Sequence, residues 1–308
     1  MKCLCCGKQI NIIGAHWHKK CIQSFFESTK LPILDLKDIN ENVNDLANKY
    51  INENNSITGV QKKLSLHLSK EDGNLRLTVV GYPFGYIIKL NSTQFPFIAE
   101  AEHLVMSMAD ECKIKTAPHA LIPIDNKLVY ITKRIDRSKD GKIHMEDFCQ
   151  LSARPTEYKY NGSYEKCAKI IDKYSSSPNA DKIELFLRVC FCYMTGNSDM
   201  HLKNFSLIEK EDSINISPAY DLLPVKLLIE ASEELALTLN GKKKNITKND
   251  FLEYANNIGI DTRTAKKLID FLVSKENKLV EMINDSLIPE KSKILFIDYL
   301  TNKINILK

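Results

Sequence analysis

The run DKIELFLRVCFCYMTG, residues 181–196, is apolar on almost every side of a helical wheel and is interrupted midway by Arg188. A helix of that kind has no face to offer to water, because each Å² of exposed apolar surface forgoes about 25 cal/mol of burial free energy. It must therefore pass through the middle of a helical core. It is also too short and too charged to span a bilayer, which takes roughly 20 apolar residues. The polar loop NSDMHLKN comes directly after it and is thus anchored to a rigid rod.

In that loop Asp199 and Asn204 stand five positions apart, and Asp221 comes after two short apolar segments, NFSLI and INISPAY, joined by the polar turn KEDS. The segments read as a hairpin, which returns Asp221 to the end where Asn204 sits. Three oxygen donors in this order match the order used by protein kinases: a base Asp, a metal-binding Asn, then a second metal-binding Asp. Two carboxylates and an amide suit magnesium, a hard cation that dehydrates reluctantly and is shared with nucleotide phosphates. The competing reading is a plain polar loop between a buried helix and a hairpin.

The whole run G-N-S-D-M-H-L-K-N-F-S, followed by P-A-Y-D-L-L, resembles the HipA family of serine/threonine kinase toxins. The resemblance extends over nearly the entire chain. It implies a two-lobed, protein-kinase-like α+β fold with a small β-rich N-lobe and a helical C-lobe, and a site for ATP and Mg2+. The expected organisation is a Cys/His knuckle and helix over residues 1–30, an N-lobe over 31–131 and a C-lobe over 132–308. Asp199 would accept or orient the hydroxyl proton, Asn204 and Asp221 would hold metal, and the match D-x-H-x-K-N gives Lys203 the charge of the transferred phosphoryl group. His201 of the same motif is either a loop anchor or part of the nucleotide site.

The upper lobe carries the matching clamp. Lys89 closes the apolar strand YIIKL, where an unpartnered ammonium would be costly, and the kinase template offers it the α- and β-phosphates. A strand-end lysine reaching to water is the plain alternative. The helix IAEAEHLVMSMADEC presents Ala101, Leu104, Val105, Met108 and Ala109 on one face. Glu100 and Glu102 are both candidates to pair with Lys89, and the family pattern selects Glu102. Strands are expected at residues 64–68, with Leu64, Leu66 and Leu68 inward, and in two hairpins, Leu75 to Leu90 and Ala120 to Ile135. Lys133 and Ile135 bracket the stretch whose backbone would meet adenine, and Arg134, Asp136 and Arg137 read as an ion-pair network. A surface helix with Ile39, Val43, Leu46 and Tyr50 at helical spacing precedes NSITGVQKK. Ser56, Thr58 and Gly59 there are small enough to let backbone N–H groups approach phosphates. In the HipA family a serine of this loop is autophosphorylated, which would make Ser56 or Thr58 the acceptor here and place inhibitory charge where ATP must bind.

The first residues hold a different chemistry. Cys3-x2-Cys6 and His18-x2-Cys21 have the paired-ligand spacing of a structural zinc site, with Cys5 and His16 spare. Trp17 is expected to pack on this knuckle. Several of the other cysteines, Cys167, Cys190 and Cys192, lie in apolar helices, and the set reads as reduced thiols, not a disulfide framework. A net charge of +4 with only GKKKN as a basic cluster makes no case for direct DNA binding. The opening MKCLCCG has no apolar signal region, so a soluble cytoplasmic chain is expected, with secretion into a host cell as the alternative.

Longer HipA proteins carry an extra N-terminal subdomain before the S-x-x-G-x-Q region. No counterpart is expected here, and in that economy the chain resembles the short HipT-type kinases of three-component toxin systems. The resemblance implies a small antitoxin that supplies the subdomain, a helix-turn-helix repressor, and tryptophanyl- or glutamyl-tRNA synthetase as the phosphorylated protein. A small-molecule kinase of the aminoglycoside-kinase type shares the D-x-x-x-x-N…D order and is the other enzymatic reading.

Overall fold

A computed structural model describes residues 1–12, 14–34, 63–71, 74–79, 85–91, 94–124, 127–138, 140–230 and 233–308. Ser56, Thr58 and Gly59, and the helix expected around Ile39 to Tyr50, lie outside the described residues. The chain separates into two units, Met1–His103 with Ala117–Gly141, and Leu104–Thr116 with Lys142–Lys308.

In the first unit, a short helix α1 (Lys19–Phe26) precedes a sheet. Among the described residues its strands are β1 (Ile33–Leu34), β2 (Lys63–Glu71), β3 (Asn74–Val79), β4 (Tyr86–Lys89), β5 (His119–Ile124) and β6 (Lys127–Lys133), in the order β1-β3-β2-β4-β6-β5. The pairings are antiparallel apart from β1 on β3. Leu64 and Leu66 face the core as the alternation requires, and Ile88 and Ile131 are buried beside them.

The expected hairpin from Leu75 to Leu90 does not form. β3 pairs with β2 and β1, while β4 pairs with β2 and β6, so β2 lies between the two segments. Leu66 stands opposite Val79 on one side and Tyr86 on the other. Alternating hydrophobicity fixes which face of a strand is buried but not which strand is its neighbour. β2 is long enough to offer both edges. The second expected hairpin, β5 with β6, is present. Helix α2 (Ile98–Glu111) follows β4 and buries Ala101, Leu104, Val105, Met108 and Ala109, the predicted stripe.

Two brief strands, β7 (Arg137–Ser138) and β8 (Gly141–Lys142), lead on to β9 (Met145–Asp147) and helix α3 (Phe148–Leu151) in the second unit. Helix α4 (Tyr164–Tyr174) then precedes α5 (Pro178–Thr195), the apolar rod, whose side chains are buried from Leu185 to Thr195. Arg188 within it is also buried. Its Nε donates to Glu184 at 2.8 Å and its Nη2 to the Ser217 carbonyl at 2.6 Å, so the one interruption in the rod ties it to the chain ahead of Asp221. Asp181 in its first turn accepts from the Ile216 amide at 2.8 Å. The rod stops at Gly196, in the left-handed region at φ 71°, where a Cβ would come within 3.0 Å of both Lys226 and Tyr299. Only glycine satisfies both demands at the entrance to the polar loop.

Strands β10 (Ser206–Lys210) and β11 (Ser213–Ile216) form the expected hairpin, with Leu207 opposite Ile216, and β9 adds to the free side of β10. The remaining helices are α6 (Val225–Leu228), α7 (Lys248–Asn257), α8 (Thr262–Ser274), α9 (Glu276–Asn284) and α10 (Glu290–Leu307). Thr247 and Asp250 close a capping box at α7, and Asp261 caps α8. In GKKKN, Lys242 pairs with Asp250 at 2.6 Å and Lys243 with Glu233 at 3.3 Å. No described helix is long and apolar enough to cross a membrane.

Candidate active site

The loop after α5 is held by its own polar groups before any partner is considered. The Asp199 amide donates to Asn197 Oδ1 at 3.2 Å, and the Asp199 carbonyl accepts from the His201 amide and from Asn204 Nδ2, each at 2.9 Å. With its amide nitrogen committed to that carbonyl, Asn204 keeps its Oδ1 on the opposite side. Asp199 and Asn204 are both buried. One turn of 3-10 helix, Leu202–Asn204, then delivers the chain to β10.

Side chains from elsewhere in the second unit complete the loop. The Tyr160 hydroxyl donates to Asp199 Oδ1, and its ring meets that of His201 edge-on at 4.9 Å. Lys203 Nζ lies 2.8 Å from Asp147 Oδ2 at the end of β9. The Tyr220 hydroxyl donates to the Lys203 carbonyl at 3.0 Å and shares a 2.6 Å bond with Ser206. Tyr160 and Asp147 are not among the residues the motifs single out. No local pattern marks either residue, because strand pairing of β9 with β10 brings Asp147 to Lys203 and the loop before α4 brings Tyr160 to Asp199.

His201 is buried, and among the described residues neither ring nitrogen has a hydrogen-bond partner. Burial first, and then the positive charge of Lys159, hold the imidazole down to about 3, so it is neutral at ordinary pH.

Asp221 has φ 57°, a left-handed conformation that a non-glycine residue adopts at a cost. Its approach is fixed on both sides: the Ala219 amide donates to the Lys115 carbonyl at 2.7 Å, and Ser217 is gripped by Arg188. The Asp221 carboxylate is close enough to act electrostatically on His201.

In the first unit, Lys89 ends β4 with its side chain only 2% exposed, and its ammonium is bonded to Glu102 Oε1, itself 0% exposed. The same ammonium sits 5.1 Å from the centre of the Tyr130 ring. Of the two candidate carboxylates, Glu102 is thus the partner, and Glu100 instead accepts from Asn91 at 3.2 Å. Lys133, in β6, pairs with Glu27 at 3.1 Å, and Ile135, two residues on, is half-buried. Arg134 and Arg137 both bond Asp136, at 2.7 and 2.8 Å, as the expected ion-pair network.

Residues 55–279 match the family model of the HipA-like C-terminal domain. The chain belongs to this family. Among curated relatives of this HipA-like chain, a Haemophilus influenzae protein named "Putative kinase" is 27% identical over 269 residues, covering 76% of each chain. Two Sinorhizobium fredii proteins, "Putative kinase Y4mE" and "Putative kinase Y4dM", are 28% and 32% identical over 240 and 204 residues, which is 74% and 61% of this chain. The chain spans 56% and 49% of the length of those two.

Solved structures show the fold. HipA of Shewanella oneidensis MR-1, determined with HipB and operator DNA, superposes with a TM-score of 0.71 at 18% identity, covering 91% of this chain and 71% of that one. The Helicobacter pylori proinflammatory kinase CtkA superposes at 0.56 and 15% identity, covering 79% of this chain and 95% of that one. The HipA-like fold is therefore the two-lobed, kinase-like α+β architecture expected from the motifs.

Proposed function

We propose that this HipA-like chain is a protein serine/threonine kinase that uses ATP and Mg2+. The observation that carries the reading is the locked loop: Asp199 buried, oriented by Tyr160, and joined through its carbonyl to Asn204. Phosphoryl transfer asks the protein mainly for positioning and charge, so a base fixed by several hydrogen bonds on the end of a rigid helix suits it.

The residues fit the group they would hold. Asn204 Oδ1 and the Asp221 carboxylate are hard oxygen donors for Mg2+, which when bound would draw charge from the phosphate oxygens. Asp199 takes the proton of the acceptor hydroxyl. Lys203, steadied by Asp147, offers its ammonium to the transferred group, and Lys89, steadied by Glu102, offers its own to the phosphates that stay on the nucleotide. A neutral His201 adds no competing charge to the loop. The strand end from Lys133 to Ile135 supplies backbone groups for adenine, and Ser56, Thr58 and Gly59 cover the phosphates, with Ser56 or Thr58 receiving an inhibitory phosphate.

Within a toxin system the phosphorylated protein is an aminoacyl-tRNA synthetase, tryptophanyl or glutamyl, and the partners are a small antitoxin and a helix-turn-helix repressor that contacts DNA in place of this chain. The Shewanella HipA structure, which contains HipB and operator DNA, favours that setting and a cytoplasmic location. The CtkA fold favours a second setting, an effector kinase acting on host proteins.

Incubating the purified chain with γ-labelled ATP and Mg2+, with and without candidate synthetases, tests the reading. Label on serine or threonine of protein, lost in Asp199→Asn and Asp221→Ala, is the expected result. Label appearing only on small molecules would replace it with a metabolite kinase.

A further inference from the structure

The N-terminal knuckle carries a different set of donor atoms, thiols and an imidazole. The ligand atoms of Cys3, Cys6, His18 and Cys21 all lie within 4.8 Å of one another. Around a tetrahedral zinc ion with bonds near 2.3 Å the thiolates stand about 3.8 Å apart, so the four groups are already close to bonding positions. His18 Nδ1 is 3.4 Å from Cys6 Sγ and 3.8 Å from Cys21 Sγ. The other ring nitrogen, Nε2, is 2.9 Å from the Gln9 carbonyl, an acceptor that requires the proton on Nε2 and leaves the Nδ1 lone pair facing the thiols. Cys3 Sγ accepts from the His18 amide at 3.4 Å, and the turn is closed by Gly7 N donating to the Cys3 carbonyl at 2.8 Å. His18 stands at the N-cap position of α1 and Cys21 lies three residues further on, so both ligands share one face. Cys5 and His16 fall outside the group.

The residues between the ligands hold a sheet edge. Among the described residues β5 is the outermost strand, and the Leu121 amide and carbonyl both bond the knuckle side. The Leu121 amide donates to the Leu4 carbonyl at 2.8 Å, and the Leu121 carbonyl accepts from Trp17 Nε1 at 3.1 Å. Leu4 follows Cys3 and Trp17 precedes His18, so both contacts sit one residue from a ligand. Trp17 also packs on Phe25 and Phe26, and Tyr86 of β4 packs on the same pair and donates to the Phe25 carbonyl at 3.1 Å.

We propose that Cys3, Cys6, His18 and Cys21 bind one structural zinc ion, which fastens the knuckle over the open edge of β5 and fixes the aromatic cluster against β4. Three soft thiolates and an imidazole fill all four positions, which leaves none for substrate and makes the site structural. Formation of the three Zn–S bonds sends three thiol protons to solvent. The ion then does for this edge what burial alone does elsewhere: it keeps unpaired strand groups covered.

The test uses the full chain, metal analysis, and Trp17, the sole tryptophan. Protein purified under reducing conditions should carry one zinc per chain. After removal of the zinc, added Co2+ should give the intense thiolate charge-transfer and ligand-field bands of a tetrahedral sulfur-rich site. Cys6→Ser and Cys21→Ser should lose stoichiometric metal, whereas Cys5→Ser and His16→Ala keep it. Chelation of the wild type should shift Trp17 emission to the red, reversed by adding zinc. A reduced, folded chain that takes up neither metal overturns the site, as does loss of metal in Cys5→Ser with retention in Cys21→Ser. Metal uptake that leaves Trp17 emission unchanged overturns the edge-fastening role.

Discussion

The knuckle of residues 3–21 and the loop of residues 197–205 are both clusters of polar side chains on irregular backbone, yet they are built in opposite ways. In the knuckle the four converging groups come from one short stretch, and a turn and a helix start are enough to gather them. In the loop Asn204 is held locally by the Asp199 carbonyl, but the charged side chains depend on residues distant in sequence: Asp199 on Tyr160, Lys203 on Asp147, and the approach to Asp221 on Arg188 and Lys115. A site of the first kind is written in spacing, while one of the second kind is written in packing.

That contrast breaks most visibly at the base. Asp199→Asn should lower the transfer rate roughly 100- to 10,000-fold while leaving the urea midpoint unchanged, because the residue serves chemistry and its neighbours keep their other bonds. A matching loss of stability would show that the loop is held by Asp199 itself instead of by its remote partners.

The buried pair Lys89–Glu102 comes next. Lys89→Met leaves a carboxylate without its cation in an apolar setting and should destabilise the chain by about 3–5 kcal/mol. Adding Glu102→Leu should restore most of that loss without restoring transfer, and denaturant unfolding alongside the labelling assay separates the two effects.

Acid should weaken the loop before its chemistry is considered. His201 has a folded-state value of about 3 against 6.5 in a model environment, so the unfolded chain takes up a proton that the folded one refuses. Stability is then full above 6.5 and falls as pH drops toward 3, by at most about 1.4 kcal/mol per unit. Unfolding curves across that range should be flatter for His201→Gln than for the wild type.

Tyr160→Phe removes one hydrogen bond to a carboxylate, worth about 1.5–3 kcal/mol. It should lower kcat more than it raises KM for ATP, which sharpens the claim that a remote residue orients the base. The smallest effect belongs to Lys243→Ala, which removes a half-buried lysine's pairing with exposed Glu233 and should change stability by less than about 1 kcal/mol.

Where the sequence reading was incomplete, the missing information was pairing. The apolar stripe of α2, the rod α5 and the hairpin β10–β11 were legible because each rests on a period or a local turn. The strand neighbours of β3 and β4 were not, since alternation in LRLTV and YIIKL is satisfied equally by β2 and by each other. Asp147 belongs to no motif of its own, and only the pairing of β9 with β10 gives it to Lys203.

Residue order alone determined the donors, their spacing and the buried rod that carries them, because hydrophobic period and ligand count are properties of a short stretch. The bond between Asp147 and Lys203, the left-handed turn at Asp221 and the burial of the His201 ring were decided by tertiary structure. Each depends on which surfaces are brought together when the apolar faces are buried, and that is settled by the chain as a whole.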